Sequence, residues 1–272
     1  MNIALYFVAY IFLLGTVKCT YNDSELHEIG GKIIGGRPAE IAKFSYAVLF
    51  INHQNLCAGS VLNSYSVLTA AHCFDDNMDK SIMYIQRSKY VDDLNAEIFR
   101  VLSFVIHEKF NSVITFHADI ALIFVKDPIK FGHNKQKALL VNNKKWMKST
   151  NKAIIGIGWG WTTNKGPISN IGLLRTNLQF VPKQKCERLH HRKLTRDMFC
   201  LYGDGKRDTC KGDSGGGVIW NKTIIGIVSH GDGCAKKDKP SVYINVFYYR
   251  KWIKRQVMNF FKDYCKIIEN DN

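Results

Sequence analysis

Short apolar segments rich in β-branched and aromatic residues, separated by turns, fill residues 44 to 245. This pattern restricts the fold more than any other feature of the chain. Ser45–Ile51, Ile98–Ile106, Ile120–Val125, Ala153–Ile157 and Ile224–Ser229 are examples. All are of strand length, and no alternation with helical repeats appears, so the sequence predicts an all-β, antiparallel domain and not a parallel βαβ sheet. The period changes only near the end of the chain. There Tyr249, Trp252, Ile253, Val257, Phe260, Phe261 and Tyr264 recur at helical spacing and form one apolar face, with Arg250, Lys251, Lys254 and Arg255 on the other. With 46 % apolar and 22 % charged residues over 272 positions, a packed core is expected and wholesale disorder is excluded.

The first residues set the compartment. Ile3 to Leu14 are uninterrupted apolar or aromatic residues, too short a run to span a bilayer comfortably, and Gly15, Val17 and Cys19 follow. Residues 1–19 therefore read as a cleaved secretory signal, and the mature protein as extracellular. No other stretch is long and apolar enough to anchor the chain in a membrane. Cleavage leaves Cys57, Cys73, Cys186, Cys200, Cys210, Cys234 and Cys265 in a compartment that permits disulfides. Their pairing cannot be chosen from the sequence alone. The odd cysteine is read as Cys265, free or joined to another chain.

Three strings carry chemistry: Thr69-Ala70-Ala71-His72-Cys73, Asp119-Ile120-Ala121-Leu122 and Gly212-Asp213-Ser214-Gly215-Gly216. Each is common by itself; a Gly-Asp-Ser-Gly string, for example, is often a tight turn. In the order His, Asp, Ser they are hard to explain as coincidence. A serine hydroxyl needs a base to take its proton, histidine titrates in the right range, and a carboxylate fixes the tautomer of the imidazole.

On these motifs the chain resembles the chymotrypsin–trypsin family of serine endopeptidases over about residues 33 to 264. The resemblance implies two antiparallel six-stranded β-barrels, joined near residues 131–152, followed by a C-terminal α-helix. It makes Ser214 the nucleophile, His72 the general base and Asp119 its orienting group, with the amides of Gly212 and Ser214 as oxyanion hole. Ser229 matches the family serine that braces the aspartate. Lys32, before Ile33-Ile34-Gly35-Gly36, matches the activation site. Cleavage there would remove residues 20–32, leave 33–272 as the protease domain, and free an Ile33 amine to pair with Asp213. The implied disulfides are Cys57–Cys73, Cys186–Cys200 and Cys210–Cys234, a reduced set seen in invertebrate relatives.

Asp208 matches the floor of the primary specificity pocket in trypsin-like relatives, which implies cleavage after Lys or Arg. Gly231, on the wall of the pocket, is retained. Two residues depart from the family: Ser241 stands where trypsins have glycine in the pocket wall, and His230 replaces a tryptophan beside the extended substrate. The implied partners are protein or peptide substrates and an activating trypsin-like protease.

Basic residues outnumber acidic ones 38 to 23, a formal net charge of +15, so an acidic tail protein is excluded and an anionic partner becomes a question. Lys183, Lys185, Arg188, Arg192, Lys193 and Arg196 form one basic cluster, and the terminal helix carries a second. Together they read either as a generally basic, solvated surface or as an exosite for glycosaminoglycan or another polyanion, an acidic protein or a membrane surface. Nucleic acid is a poor candidate, since no recognition motif appears. No cofactor is implied, and residues 84–97 do not supply a clear set of carboxylates for a metal. Asn22 and Asn221 head glycosylation sequons, the second on an expected hairpin tip. The rival reading is a catalytically weak or inactive homologue that binds polyanions or proteins; the complete set of His72, Asp119, Ser214, Gly212 and Asp213 argues against it.

Overall fold

The computed structural model of the chain describes residues 33–133, 135–148, 154–163, 168 and 172–270, with side chains to residue 266. The expected signal (1–19) and activation peptide (20–32), with Lys32 and Asn22, lie outside the described residues.

After a two-residue edge strand, β1 (Arg37–Pro38), come β2 (Ala47–Asn52), β3 (Asn55–Asn63), β4 (Ser66–Thr69), β5 (Met83–Arg87), β6 (Glu97–Ile106) and β7 (Ala121–Val125). Strands β2 to β7 close into an antiparallel barrel in the order β2-β3-β4-β7-β6-β5. The second barrel uses β8 (Ile154–Gly158), β9 (Leu174–Val181), β10 (Met198–Tyr202), β11 (Gly217–Trp220), β12 (Thr223–His230) and β13 (Ser241–Asn245). Their order is β9-β10-β13-β12-β11-β8, closed by pairing of β8 with β9, and β1 adds to the outer side of β9. Helix α1 (Lys183–His190) connects β9 to β10, and α2 (Val246–Asn270) ends the chain. Two six-stranded barrels and a terminal helix are the architecture expected from the sequence.

Residue patterns explain the strand positions. Ala121-Leu122-Ile123-Phe124-Val125 is buried throughout, because β7 lies between β4 and β6 and is covered on both faces. Each such side chain contributes about 1.5–3 kcal/mol on full burial. Strand β9 alternates: Leu174, Thr176 and Leu178 are buried, while Arg175, Asn177 and Gln179 are exposed. A slip of one residue would send the leucines to solvent, which pins the register. Between β11 and β12, Asn221 (φ 49°) and Lys222 (φ 63°) both adopt the left-handed conformation of a two-residue hairpin turn that matches strand twist. Asn221 thereby sits exposed at a hairpin tip.

Disulfides join Cys57 to Cys73, Cys186 to Cys200 and Cys210 to Cys234, with Cα–Cα distances of 6.3, 6.4 and 5.4 Å, and Cys265 is free and exposed. Closing loops of this size stabilises the fold by about 3 kcal/mol per bridge. Helix α2 is capped by the Asn245 carboxamide, which accepts from Phe247 N at 3.0 Å. Its first turns bury Tyr249, Trp252 and Ile253. Its later turns cross to the first barrel: Phe260 stacks on Phe124 (centroids 4.1 Å apart, planes 5° apart), and Tyr65 meets Phe261 edge-on at 5.9 Å and Tyr264 at 5.3 Å. Between the barrels, Trp159 Nε1 donates to Lys89 O (2.7 Å). Among the described residues no helix is long and apolar enough to cross a membrane.

Candidate active site

His72 lies just past the end of β4 in a short 3-10 turn (Ala71–Phe74) that the Cys57–Cys73 bridge ties to β3. Asp119 lies two residues before the start of β7 and is fully buried. Because β4 and β7 are paired, with Thr69 opposite Ala121, the two residues meet at one barrel end. Asp119 Oδ1 accepts from the His72 amide (2.9 Å) and Oδ2 faces His72 Nδ1 (2.8 Å).

The second barrel supplies the remaining partners. Ser229 Oγ, near the end of β12, also bonds Asp119 Oδ2, and His230 Nδ1 lies 3.0 Å from the same hydroxyl. An ionised carboxylate can only accept, so Ser229 donates to Asp119 and must accept from His230 Nδ1–H. The bond directions are therefore fixed from His230 through Ser229 to Asp119, and from His72 Nδ1–H to the same oxygen. Burial pushes the Asp119 carboxyl up, but the His72 charge and the hydrogen bonds from His72 and Ser229 outweigh it, leaving the group below its ordinary range. Burial pulls His72 down, while the Asp119 charge and hydrogen bond outweigh it and raise the imidazole above its ordinary value. His230 is pushed down to about 4, by burial first and then by the Arg192 charge, so it is neutral at physiological pH.

Ser214 sits on the loop before β11. Its carbonyl accepts from Ala58 N at 2.7 Å and lies 3.8 Å from Cys73 Sγ, so this loop abuts the one carrying His72. Gly215 makes the approach feasible: its φ is +80°, and a Cβ there would fall 2.2 Å from Thr69 Oγ1 and 2.9 Å from Ala70 N. Among the described residues no hydrogen bond joins Ser214 Oγ to His72. The amides of Asp213, Gly215 and Gly216 donate to Cys210, Val228 and Asp213 carbonyls respectively. Those of Gly212 and Ser214 have no acceptor among the described residues.

A cavity of about 220 Å³ opens beside Ser214, walled by residues 209–211, 228–231, Gly233, Cys234 and Ser241. The Cys210–Cys234 bridge ties its two sides. Asp208 is not among the lining residues. Its Oδ2 accepts from Ser241 Oγ (2.8 Å) and Ala235 N (2.9 Å), and its Oδ1 from Thr209 N (2.9 Å). The Ser241 hydroxyl thus forms the surface that faces the cavity, with the carboxylate one layer behind. Burial pushes Asp208 up to about 6, with the three hydrogen bonds opposing. Gly231 stands against the serine: a Cβ on it would meet Ser241 Oγ at 3.1 Å.

Asp213 is fully buried and accepts from Gly160 N and Cys210 N, each at 2.8 Å. Burial pushes it up to about 7. Ile33 is also fully buried. Among the described residues no cation pairs with Asp213.

Two contributors were not singled out from the sequence. Asp197, buried at the entrance to β10, accepts from Ala118 N (3.0 Å) and Tyr249 OH (2.8 Å) and so holds the residue before Asp119 from the second barrel. Phe116 stacks on His230 (4.3 Å) and meets His72 edge-on (5.7 Å), placing an apolar ring against both histidines. A phenylalanine in a polar loop gives no periodic signal that would find it.

Among the described residues, Cys57, His72 and Cys73 could in principle gather round a metal, but both sulfurs are consumed in their disulfide. The basic cluster after β9 is partly engaged internally. Lys183 and Lys193 approach Glu187 (4.0 and 3.6 Å). On α2, Arg250 donates to the carbonyls of Leu140 and Val141 (3.0 and 2.6 Å), and Arg255 lies 3.6 Å from Glu108.

The Trypsin family pattern matches residues 33–253. Trypsin eta of Drosophila melanogaster is 28 % identical over 265 residues, covering 94 % of this chain and 97 % of its own. Trypsin II-P29 of Gallus gallus is 33 % identical over 230 residues (83 % and 89 %), and Serine protease 1 of Homo sapiens is 30 % identical over 247 residues (90 % and 95 %). The paired barrels, the His72–Asp119–Ser229 contacts and this likeness over nearly the whole domain together place the chain in the trypsin family of serine proteases.

Proposed function

We propose that the protein is a secreted zymogen which, once cut after Lys32, hydrolyses peptide bonds after basic residues through Ser214, His72 and Asp119. The carrying observation is the directed set of hydrogen bonds on Asp119. With both Ser229 and the His72 amide and Nδ1–H donating to it, the carboxylate holds His72 in the tautomer whose Nε2 lone pair is free to accept a proton.

The family mechanism then follows. Ser214 Oγ attacks the substrate carbonyl as His72 Nε2 takes its proton. The new oxyanion meets the unengaged amides of Gly212 and Ser214, each such donor being worth about 3–4 kcal/mol in the transition state. The His72 imidazolium, stabilised by Asp119, returns the proton to the leaving amine, and water releases the acyl group by the same steps. The apo separation of Ser214 from His72 is no obstacle, because catalytic hydrogen bonds commonly tighten only with substrate bound.

In the pocket, a lysine ammonium is the better fit. A compact cation can donate to Ser241 Oγ with the Asp208 charge directly behind it, whereas a guanidinium needs two open carboxylate oxygens and Asp208 has both engaged. Freeing Ile33 supplies Asp213 with a buried cation and thereby sets the loop that carries Gly212 and Ser214. The test is fluorophosphonate labelling of the chain after tryptic cleavage at Lys32. Wild type should label and Ser214→Ala should not; equal labelling, or none in either, rejects the assignment.

A further inference from the structure

A second cavity, of about 400 Å³, lies away from the catalytic cleft, between β1, β9 and the 203–207 turn, and its rim carries Arg37, Arg175, Lys206, Arg207 and one acid, Asp204. Arg37 and Arg175 are direct cross-strand partners. Like charges in that position repel, so the arrangement destabilises the free protein. Asp204 does not relieve it: both its oxygens are taken by Arg207, at 2.6 Å to Nη2 and 3.4 Å to Nε. The side chains of Arg37, Arg175 and Lys206 have no hydrogen-bond or ion-pair partner among the described residues, while the Lys206 amide donates to Asp204 Oδ1 at 3.3 Å and the lysine charge reaches that carboxylate from a longer distance. We propose that this pocket binds a multivalent oxyanion, whose phosphate or sulfate groups carry at least two negative charges between them, held by these three cations with Arg207 at its edge.

The position gives the ligand an effect. Gly35, two residues beyond Ile33, also lines the pocket and lies against the same turn: its φ is +63°, and a Cβ there would fall 2.5 Å from Lys206 O and 2.6 Å from Arg207 Cγ. Asp208 N bonds Ile34 O at 3.2 Å just beyond. An anion bridging Arg37 to Lys206 would clasp the segment after the cleavage site to the turn that leads into Asp208 and Asp213. By linkage it binds more tightly to whichever form holds Ile33 inside. This effect on activation rests on the zymogen reading above, whereas the binding itself does not.

The experiment measures binding by calorimetry to the full chain carrying Ser214→Ala, before and after cleavage at Lys32, so that failure of catalysis cannot be mistaken for failure of binding. The probes are tripolyphosphate and a sulfated hexasaccharide. Saturable binding is expected, weakened at least about tenfold by Arg175→Ala with Lys206→Ala and less than twofold by Lys185→Ala with Arg188→Ala on α1. Cleavage at Lys32 should tighten it. Binding of both probes through Arg175 and Lys206 makes a sulfated polymer an eligible source of the group; binding of tripolyphosphate alone makes the source phosphate. No saturable binding of either probe, an unchanged affinity in the Arg175/Lys206 variant, or loss of binding in the α1 variant overturns the proposal.

Discussion

Cutting the chain between Lys32 and Ile33 should change how its stability responds to pH, and Asp213 sets the size of the change. Burial pushes this carboxyl from 3.8 to about 7, with the amides of Cys210 and Gly160 opposing and the Asp208 charge adding to the rise. One pKa unit corresponds to about 1.4 kcal/mol, so ionised Asp213 costs the uncut protein about 4 kcal/mol. At about pH 3 and below, the carboxyl is protonated in the native state and largely so in the unfolded chain. Between about pH 3 and 7 the unfolded chain ionises first and binds fewer protons, so the stability of the uncut protein falls as pH rises. Above about pH 7 the whole cost is present. On the proposed activation, the freed Ile33 ammonium would pair with the carboxylate in the cut protein, and this loss should vanish. Asp208, pushed up to about 6, weakens both forms alike and cancels in the comparison. Thermal unfolding of cut and uncut Ser214→Ala chains at pH 4, 5.5 and 7.5 should therefore give melting curves that separate with pH, by about 10 °C at the top of the range. Amide exchange across residues 210–216 should rise over the same window in the uncut chain only. A melting difference that stays constant from pH 4 to 7.5 would refute the reasoning.

Other consequences are as direct. Ser241→Gly removes the hydroxyl from Asp208 and opens the carboxylate to the pocket, so kcat/KM on arginine substrates should rise at least about tenfold relative to lysine, read from paired peptide substrates. Selectivity for basic over apolar residues should fade as pH drops below about 6, where Asp208 becomes protonated, and a selectivity flat from pH 5 to 8 would count against its role. Ser229→Ala removes a hydrogen bond to a buried carboxylate and should lower kcat about tenfold or more with little change in KM. Phe260→Ala breaks the stack on Phe124 and should lower stability by about 2 kcal/mol in urea unfolding while leaving kcat unchanged.

The strands most legible in the sequence are those with long apolar runs: Ile98–Ile106, broken only by Arg100 and Ser103, and the uninterrupted Ile120–Val125 lie within one residue of β6 and β7. The local strings around His72, Asp119 and Ser214 pointed to the family because each is short and contiguous. What they could not carry were relations between distant segments. The bond between Ser241 and Asp208, which moves the carboxylate behind a hydroxyl, depends on how β13 and the 208–210 segment pack, and neither residue signals it alone. No local string marks Asp197, and only the fold brings it beneath Ala118. The aromatic period to Tyr264 marked a helix but gave no hint that its far end reaches Tyr65 on the other barrel.

That reach has a consequence for biosynthesis. Tyr65 and Phe124 receive their cover from Phe260, Phe261 and Tyr264, which leave the ribosome long after them. The N-terminal lobe must therefore wait, with a greasy flank bare, until those distant residues have been made, so a stop codon just before Phe260 would injure the half of the molecule made first.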